Sequence, residues 1–295
     1  MKALQSAIAI AAMALATTSC GQASSVSSGS DSTAVASMDA TISNFEVNQT
    51  IKKVGRPYLC DGDTVFGAEH KVYTESTATI QWLTRFGDND LTTLQDSLVS
   101  VAFKARGHNI DSVLTSYATH PKYMGTGTLK PVDRIENPDD YDHVRVMYAN
   151  VNARIVELSE NIIVYKVEFD EYSGGAHPSY AAQFINYDPR NNRTLAFDQI
   201  FRPESADSLL SFVKEKLCRQ YYVESIDKLA EVSGIFVDQI FVSHNVFFSP
   251  QGLTFYYNPY DIGPWAIGSV EVKAYDYELK PFLTPEALAV FDALR

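Results

Sequence analysis

The sequence predicts an α+β fold, with antiparallel sheets and a few helices packed on one side. Three observations carry that expectation. Val144 to Leu158 and Ile162 to Tyr172 are long β-rich runs separated only by Ser159-Glu160-Asn161, the pattern of a hairpin. Residues 204–222 repeat their apolar side chains at helical spacing, and Val270-Glu271-Val272-Lys273-Ala274 alternates as a half-buried strand does. With 295 residues, 45% hydrophobic and 12% aromatic, the chain has material for a sizeable core, which excludes a disordered or fibrous protein. Its 24 Lys and Arg against 36 Asp and Glu give −12, a balance that argues against a nucleic-acid partner.

The chain opens as a secreted protein does. Lys2 precedes an uncharged apolar run from Ala7 to Ala16, short of the ~20 residues that span a bilayer, so residues 1–20 read as a signal peptide. Its end, Ala16-Thr17-Thr18-Ser19-Cys20, resembles the lipobox of bacterial lipoproteins, with Thr17 where leucine is usual, and makes Cys20 the expected site of lipidation. Residues 21–43 are serine-rich and lack aromatics, as a solvated tether would be. In an oxidising compartment Cys60 and Cys218 are candidates for a disulfide, which would stabilise by roughly 5 kcal/mol in the chain-entropy model.

The body follows in two expected units, residues 44–158 and 159–295, both α+β. Thr77 to Leu83 alternates as a strand, and residues 91–105 read as a helix with Leu94, Leu98, Val101, Ala102 and Ala105 on one face. Thr93 with Asp96 suggests its capping box, Gly107 its stop, and Asp90 an alternative start. Pro121 to Asp142 turns to Pro, Gly and Asp and reads as a long loop. Tyr180 to Asp188 is a further strand, followed by a turn at residues 188–192. In the helix over 204–222, Leu209, Leu210, Phe212, Val213, Leu217 and Tyr221 share one face, and Cys218 lies off its centre. Phe241 to Phe248 and Leu253 to Tyr257 are strands, and Thr284 with Pro285 starts a closing helix.

Motifs of catalysis are scarce. There is no HExxH, P-loop, GxSxG or GxGxxG, and Ser211-Phe212-Val213-Lys214 matches SxxK inside an amphipathic helix without the partner motifs of an acyl-enzyme. Asp139-Asp140-Tyr141-Asp142-His143, Asp61-Gly62-Asp63 and Asp88-Asn89-Asp90 lack the spacing of a cation loop and read as solvated turns, so neither metal nor cofactor is expected.

Two segments stand out. In Glu171 to Tyr180 a Gly174-Gly175 pair allows positive φ between strands, and His177 lies between Tyr172 and Tyr180 in sequence, an arrangement fit for a small aromatic-walled site. In Tyr256 to Gly268 aromatic residues, Tyr260 and Trp265 among them, punctuate a Pro- and Gly-rich loop fit to stack on sugar rings or on a protein partner.

In this order the two segments resemble the extracytoplasmic domain of the RsiV anti-sigma factor, which also occurs beside PdaC-type peptidoglycan deacetylases in a family of unknown function. The resemblance rests on Tyr172 to His177, Asn186-Tyr187-Asp188, Leu195 to Phe201, Asn258 to Gly268 and Tyr277 to Pro281, over about residues 160–283. Residues 44–158 resemble the companion domain only in element order. The resemblance implies an envelope domain; in the anti-sigma factor the region binds lysozyme. Neither a sigma-binding segment nor a deacetylase domain is expected from these residues.

The expected function is a non-catalytic lipoprotein, held to the membrane through Cys20 on the periplasmic face of the outer membrane. Its soluble body would bind peptidoglycan, a related glycan or a lysozyme-like protein, through Tyr172, His177, Tyr180, Tyr260 and Trp265. The alternatives are an envelope hydrolase using His177 with Asp170 or Glu171, and a structural subunit of an envelope complex.

Overall fold

The computed structural model describes residues 34–42, 45–63, 67–121, 126–132 and 147–293. Strands β1 (Ala34–Ile42), β2 (Phe45–Asp63) and β3 (Gly67–Phe86) run in succession, each antiparallel to the one before it. Helices α1 (Thr92–Phe103) and α2 (Ile110–Thr119) follow, then a short strand β4 (Thr128–Pro131) that pairs with the end of β2. This excursion lets β5 (Met147–Leu158) lie parallel to β3, an exception to the antiparallel expectation. Strands β6 (Ile163–Tyr172), β7 (Ser179–Asp188) and β8 (Arg193–Thr194) complete a sheet of order β1-β2-β3-β5-β6-β7-β8.

Beyond β8 come α3 (Phe197–Ile200), α4 (Ala206–Gln220) and α5 (Ile226–Ser233). A second sheet of order β11-β10-β9 is built from β9 (Val246–Ser249), β10 (Gly252–Tyr257) and β11 (Val270–Tyr275). Helices α6 (Asp276–Leu279) and α7 (Pro285–Ala293) close the chain, with the Thr284 hydroxyl accepting from the Ala287 N–H as the cap reading expected.

Two main cores result, and β6 serves both. Ile163, Tyr165 and Val167 pack under α1 and α2 with Leu94, Leu98 and Leu114, while Ile162 and Val164 join Leu209, Val213 and Leu217 of α4 and Phe255 of β10. Period-2 alternation in β6 therefore sends neighbouring residues to opposite cores. The expected boundary at 158/159 falls in the tight hairpin between β5 and β6, so the large sheet continues through it. The tether reading of 21–43 also changes: Ala34–Ile42 pairs with β2, while residues 21–33, like the signal segment with Cys20 and the cluster at 139–143, lie outside the described residues.

Cys60 and Cys218 do not join. Cys60 packs with Val72 and Met147, and Cys218 sits in the α4 core, its thiol pushed up by burial and by Glu215. Cys218 is off the stripe's centre but still covered, so its position does not call for a bond.

Helix α1 begins without the Thr93–Asp96 box. Asp90 Oδ1 accepts from the Thr92 N–H at 2.9 Å and the Thr92 hydroxyl at 2.7 Å, which hold its carboxyl below the usual range. The helix ends at Lys104, at φ 55, before Gly107 is reached. Three other readings change. Asp61 to Asp63 belong to β2, and part of the expected loop after Pro121 is β4. The strand expected from Phe241 starts only at Val246, because Ser243 Oγ bonds back to the Tyr256 carbonyl and accepts from the Asn245 N–H.

Candidate functional site

The connection between β6 and β7 carries the first half of the site. Gly174 and Gly175 take φ 91 and 115, and the Tyr172 hydroxyl donates to the Gly175 carbonyl at 3.0 Å. His177 Nδ1 lies 2.9 Å from the Pro178 carbonyl, which can only accept, so Nδ1 carries the proton. In the neutral ring Nε2 is then an acceptor, and the Tyr260 hydroxyl donates to it at 3.2 Å.

The second half is the loop from β10 to β11. Asn258-Pro259-Tyr260-Asp261 has proline at the second position, φ 73 at Tyr260 and an Asp261 N–H to Asn258 carbonyl bond of 3.1 Å, the pattern of a type II turn. The Asn258 N–H donates to Asp261 Oδ2 at 2.7 Å; burial nevertheless raises the Asp261 carboxyl, outweighing that hydrogen bond. Asn258 Oδ1 accepts from the Ala182 N–H at 2.6 Å and ties the loop to the edge of β7.

Between these halves lies Trp265. The His177 ring stacks on it at 4.1 Å and 20°, and Tyr180 meets it edge-on at 6.1 Å and 69°. Tyr260 is 62% exposed and Tyr180 36%. Trp265 itself is half-buried, and its indole Nε1 is buried without a hydrogen-bond partner. Gly268, at φ +72, closes the loop where an added Cβ would stand 3.2 Å from the Tyr180 hydroxyl.

Four of the five residues singled out in the sequence thus converge: His177, Tyr180, Tyr260 and Trp265. Tyr172 does not join them; its ring faces Tyr148 at 6.1 Å, and His177 rests on Trp265 instead of between Tyr172 and Tyr180. The carboxylates of the hydrolase alternative bond elsewhere. Asp170 accepts from the Tyr148 hydroxyl and from Asn150, and Glu171 from the Ser173 hydroxyl. Ser211 of the SxxK match donates to the Asp207 carbonyl within its own helix. Among the described residues, no group of three or more His, Cys, Asp or Glu could hold a metal ion.

Sequence reasoning missed Asn258 and Asn245, which hold β7 to the second sheet, and Tyr148. Only the alternation of β5, which puts Tyr148 on the outer face beside Tyr172, could have signalled the last of these. Two adjoining clefts of about 430 and 500 Å³ open where Phe184, Asn186, Leu195 and Ala196 line both, away from the aromatic cluster.

Fold and site together define a class: an α+β chain with two principal cores, bearing an aromatic cluster where a connection of the large sheet meets a loop of the small one. Residues 198–273 match the model of a family described as a protein of unknown function, DUF3298. A DUF3298 family protein of Bacteroides fragilis is similar at 21% identity and a TM-score of 0.66, over 90% of this chain and 99% of that one. A second, from Pseudomonas aeruginosa PAO1, is similar at 13% identity and a TM-score of 0.51, over 80% of this chain and 95% of that one. No curated protein matches the chain. Among the described residues no helix is long and apolar enough to cross a membrane.

Proposed function

We propose that the chain is a non-catalytic cell-envelope lipoprotein of RsiV-like type, anchored through Cys20 on the periplasmic face of the outer membrane, whose body binds peptidoglycan or a related glycan. The observation that carries the reading is the cluster of His177, Tyr180, Tyr260 and Trp265, which is exposed at its two tyrosines and sits where the β6–β7 connection meets the β10–β11 loop. Flat rings with polar tips suit sugar rings, whose C–H faces stack while their hydroxyls bond at the edge. His177 has a carbonyl and a phenol on its two nitrogens, which suits a positioning role better than proton transfer. A charge of −12 favours a second reading, a basic lysozyme-like protein as partner.

The test is co-sedimentation of the chain from Gly21 onward with purified peptidoglycan, with lysozyme in a parallel tube. Pelleting with the sacculus, lost in Trp265→Ala, supports the glycan reading. Solubility with peptidoglycan and co-elution with lysozyme supports the second, and neither result overturns both. Loss of membrane attachment in Cys20→Ala tests the anchor.

A further inference from the structure

We propose that the aromatic cluster is one end of a longer glycan-binding surface that crosses the outer face of the large sheet, so that the ligand is an unbranched, largely uncharged chain of several sugar rings. This rests on the glycan reading above and extends it.

The register of four strands makes the surface. Thr77 of β3 pairs with Asn150 of β5, Asn150 with Asp170 of β6, and Asp170 with Tyr180 of β7. Cross-strand partners share a face, so these four side chains form one row, roughly 14 Å long at the usual strand spacing. Their sequence neighbours Ala78, Ala149 and Val151 are buried beneath, which puts the row on the side away from α1 and α2. The row runs into the cluster without a break, because Tyr180 is both its last member and the edge-on neighbour of Trp265.

The chemistry of the row is that of a polyol site. Thr77 donates to Asn150 Oδ1, Asn150 Nδ2 to Asp170 Oδ2 at 3.5 Å, and the Tyr148 hydroxyl to Asp170 Oδ1 at 3.4 Å. The chain of donors ends on Asp170, an exposed carboxylate whose two bonds are long, leaving acceptor capacity for vicinal hydroxyls. Beside it the Tyr148 and Tyr172 rings stand 6.1 Å apart at 36°, two faces on which a sugar ring can lie. Charge fits a neutral ligand, because Glu168 in the next row is matched by Lys166 at 2.7 Å and Arg154 at 3.4 Å. A face kept merely wet does not need three tyrosines in adjacent registers.

The experiment is calorimetric titration of the chain from Gly21 onward with N-acetylglucosamine oligomers of increasing length. Affinity should rise with length. Asp170→Ala and Asn150→Ala should each weaken the long oligomers by about tenfold and leave the disaccharide unchanged. Trp265→Ala should weaken both lengths. Tyr148→Phe, which removes one hydroxyl and keeps the ring, is the variant that guards against a folding defect, and it should show a smaller loss of the same length dependence. If wild type binds no oligomer, the glycan reading itself falls. If wild type binds but affinity is flat with length, or is untouched by Asp170→Ala and Tyr148→Phe, the extension falls and the cluster alone is the site.

Discussion

Tyr260 holds a backbone conformation that suits glycine better. At φ 73 in the third position of its turn, a side chain with a Cβ costs roughly 1–2 kcal/mol against the glycine such turns favour. The fold gains little in return, since the ring is 62% exposed and its hydroxyl reaches only as far as the ring of His177. Strain retained without a packing gain points to use of the ring. Tyr260→Gly should therefore leave the melting temperature unchanged or raise it by a few degrees, while reducing pelleting with peptidoglycan; a stability loss with intact pelleting would make the tyrosine structural. This residue was legible in the sequence because Asn-Pro-Tyr-Asp announces a turn and an aromatic at its tip. Its partner was not. Stacking of His177 on Trp265 joins residues 88 positions apart, and no local pattern encodes such a meeting.

Among the elements, the β7 edge is the clearest case of structure the sequence hid. β8 covers only its last residues, and side chains finish the job. Asn245 accepts from the Phe184 N–H at 3.0 Å and donates to the Ala182 carbonyl at 2.8 Å, and Asn186 exchanges bonds with Val246 and Phe248 of β9. Asparagine can imitate a strand because its amide offers a donor and an acceptor like the backbone's. Asn245→Ala would leave two edge groups short of a partner, a loss of about 2–4 kcal/mol in urea unfolding, with faster amide exchange at Phe184. Asn245 falls inside the run from Phe241 to Phe248 that reads as a strand, so its role as a stitch to β7 left no sequence mark. A second contact joins α4 to α6: Lys216 meets Glu278 Oε2 at 2.9 Å, and the Tyr275 N–H reaches the same oxygen at 3.0 Å. Burial raises the Glu278 carboxyl, but these partners outweigh it and hold it below its ordinary 4.5. A lowered carboxyl contributes its stability above the ordinary value and loses it as pH falls through the folded one. Glu278→Gln should thus cost about 1 kcal/mol near pH 7 and progressively less as pH falls below 4.5, measured as urea midpoints across that range. A constant difference would place its effect in packing.

At the scale of the whole molecule, the strands of the second half were readable because each is a β-rich run bounded by turn residues. What joins the halves was not, because it depends on β6 facing two ways. A division at 158/159 follows from composition and from the family resemblance, both of which run along the chain. Burial runs across it. Ile163, Tyr165, Val167, Ile185 and Tyr187, all at 5% exposure or less, belong to the core built with α1 and α2. Cutting before residue 159 would bare all of them, at roughly 1.5–3 kcal/mol for each large apolar side chain. That sum is on the order of the whole stability of an ordinary domain, ~5–15 kcal/mol. Residues 159–295 expressed alone should therefore be insoluble or melt without a cooperative transition, even though they contain every residue matched by the family model. The chain from Ala34 onward, which keeps both cores around β6, should unfold in one calorimetric transition. A cooperative melt of the fragment at the temperature of the longer chain would show that the second core is self-sufficient and that β6 merely passes beside the first.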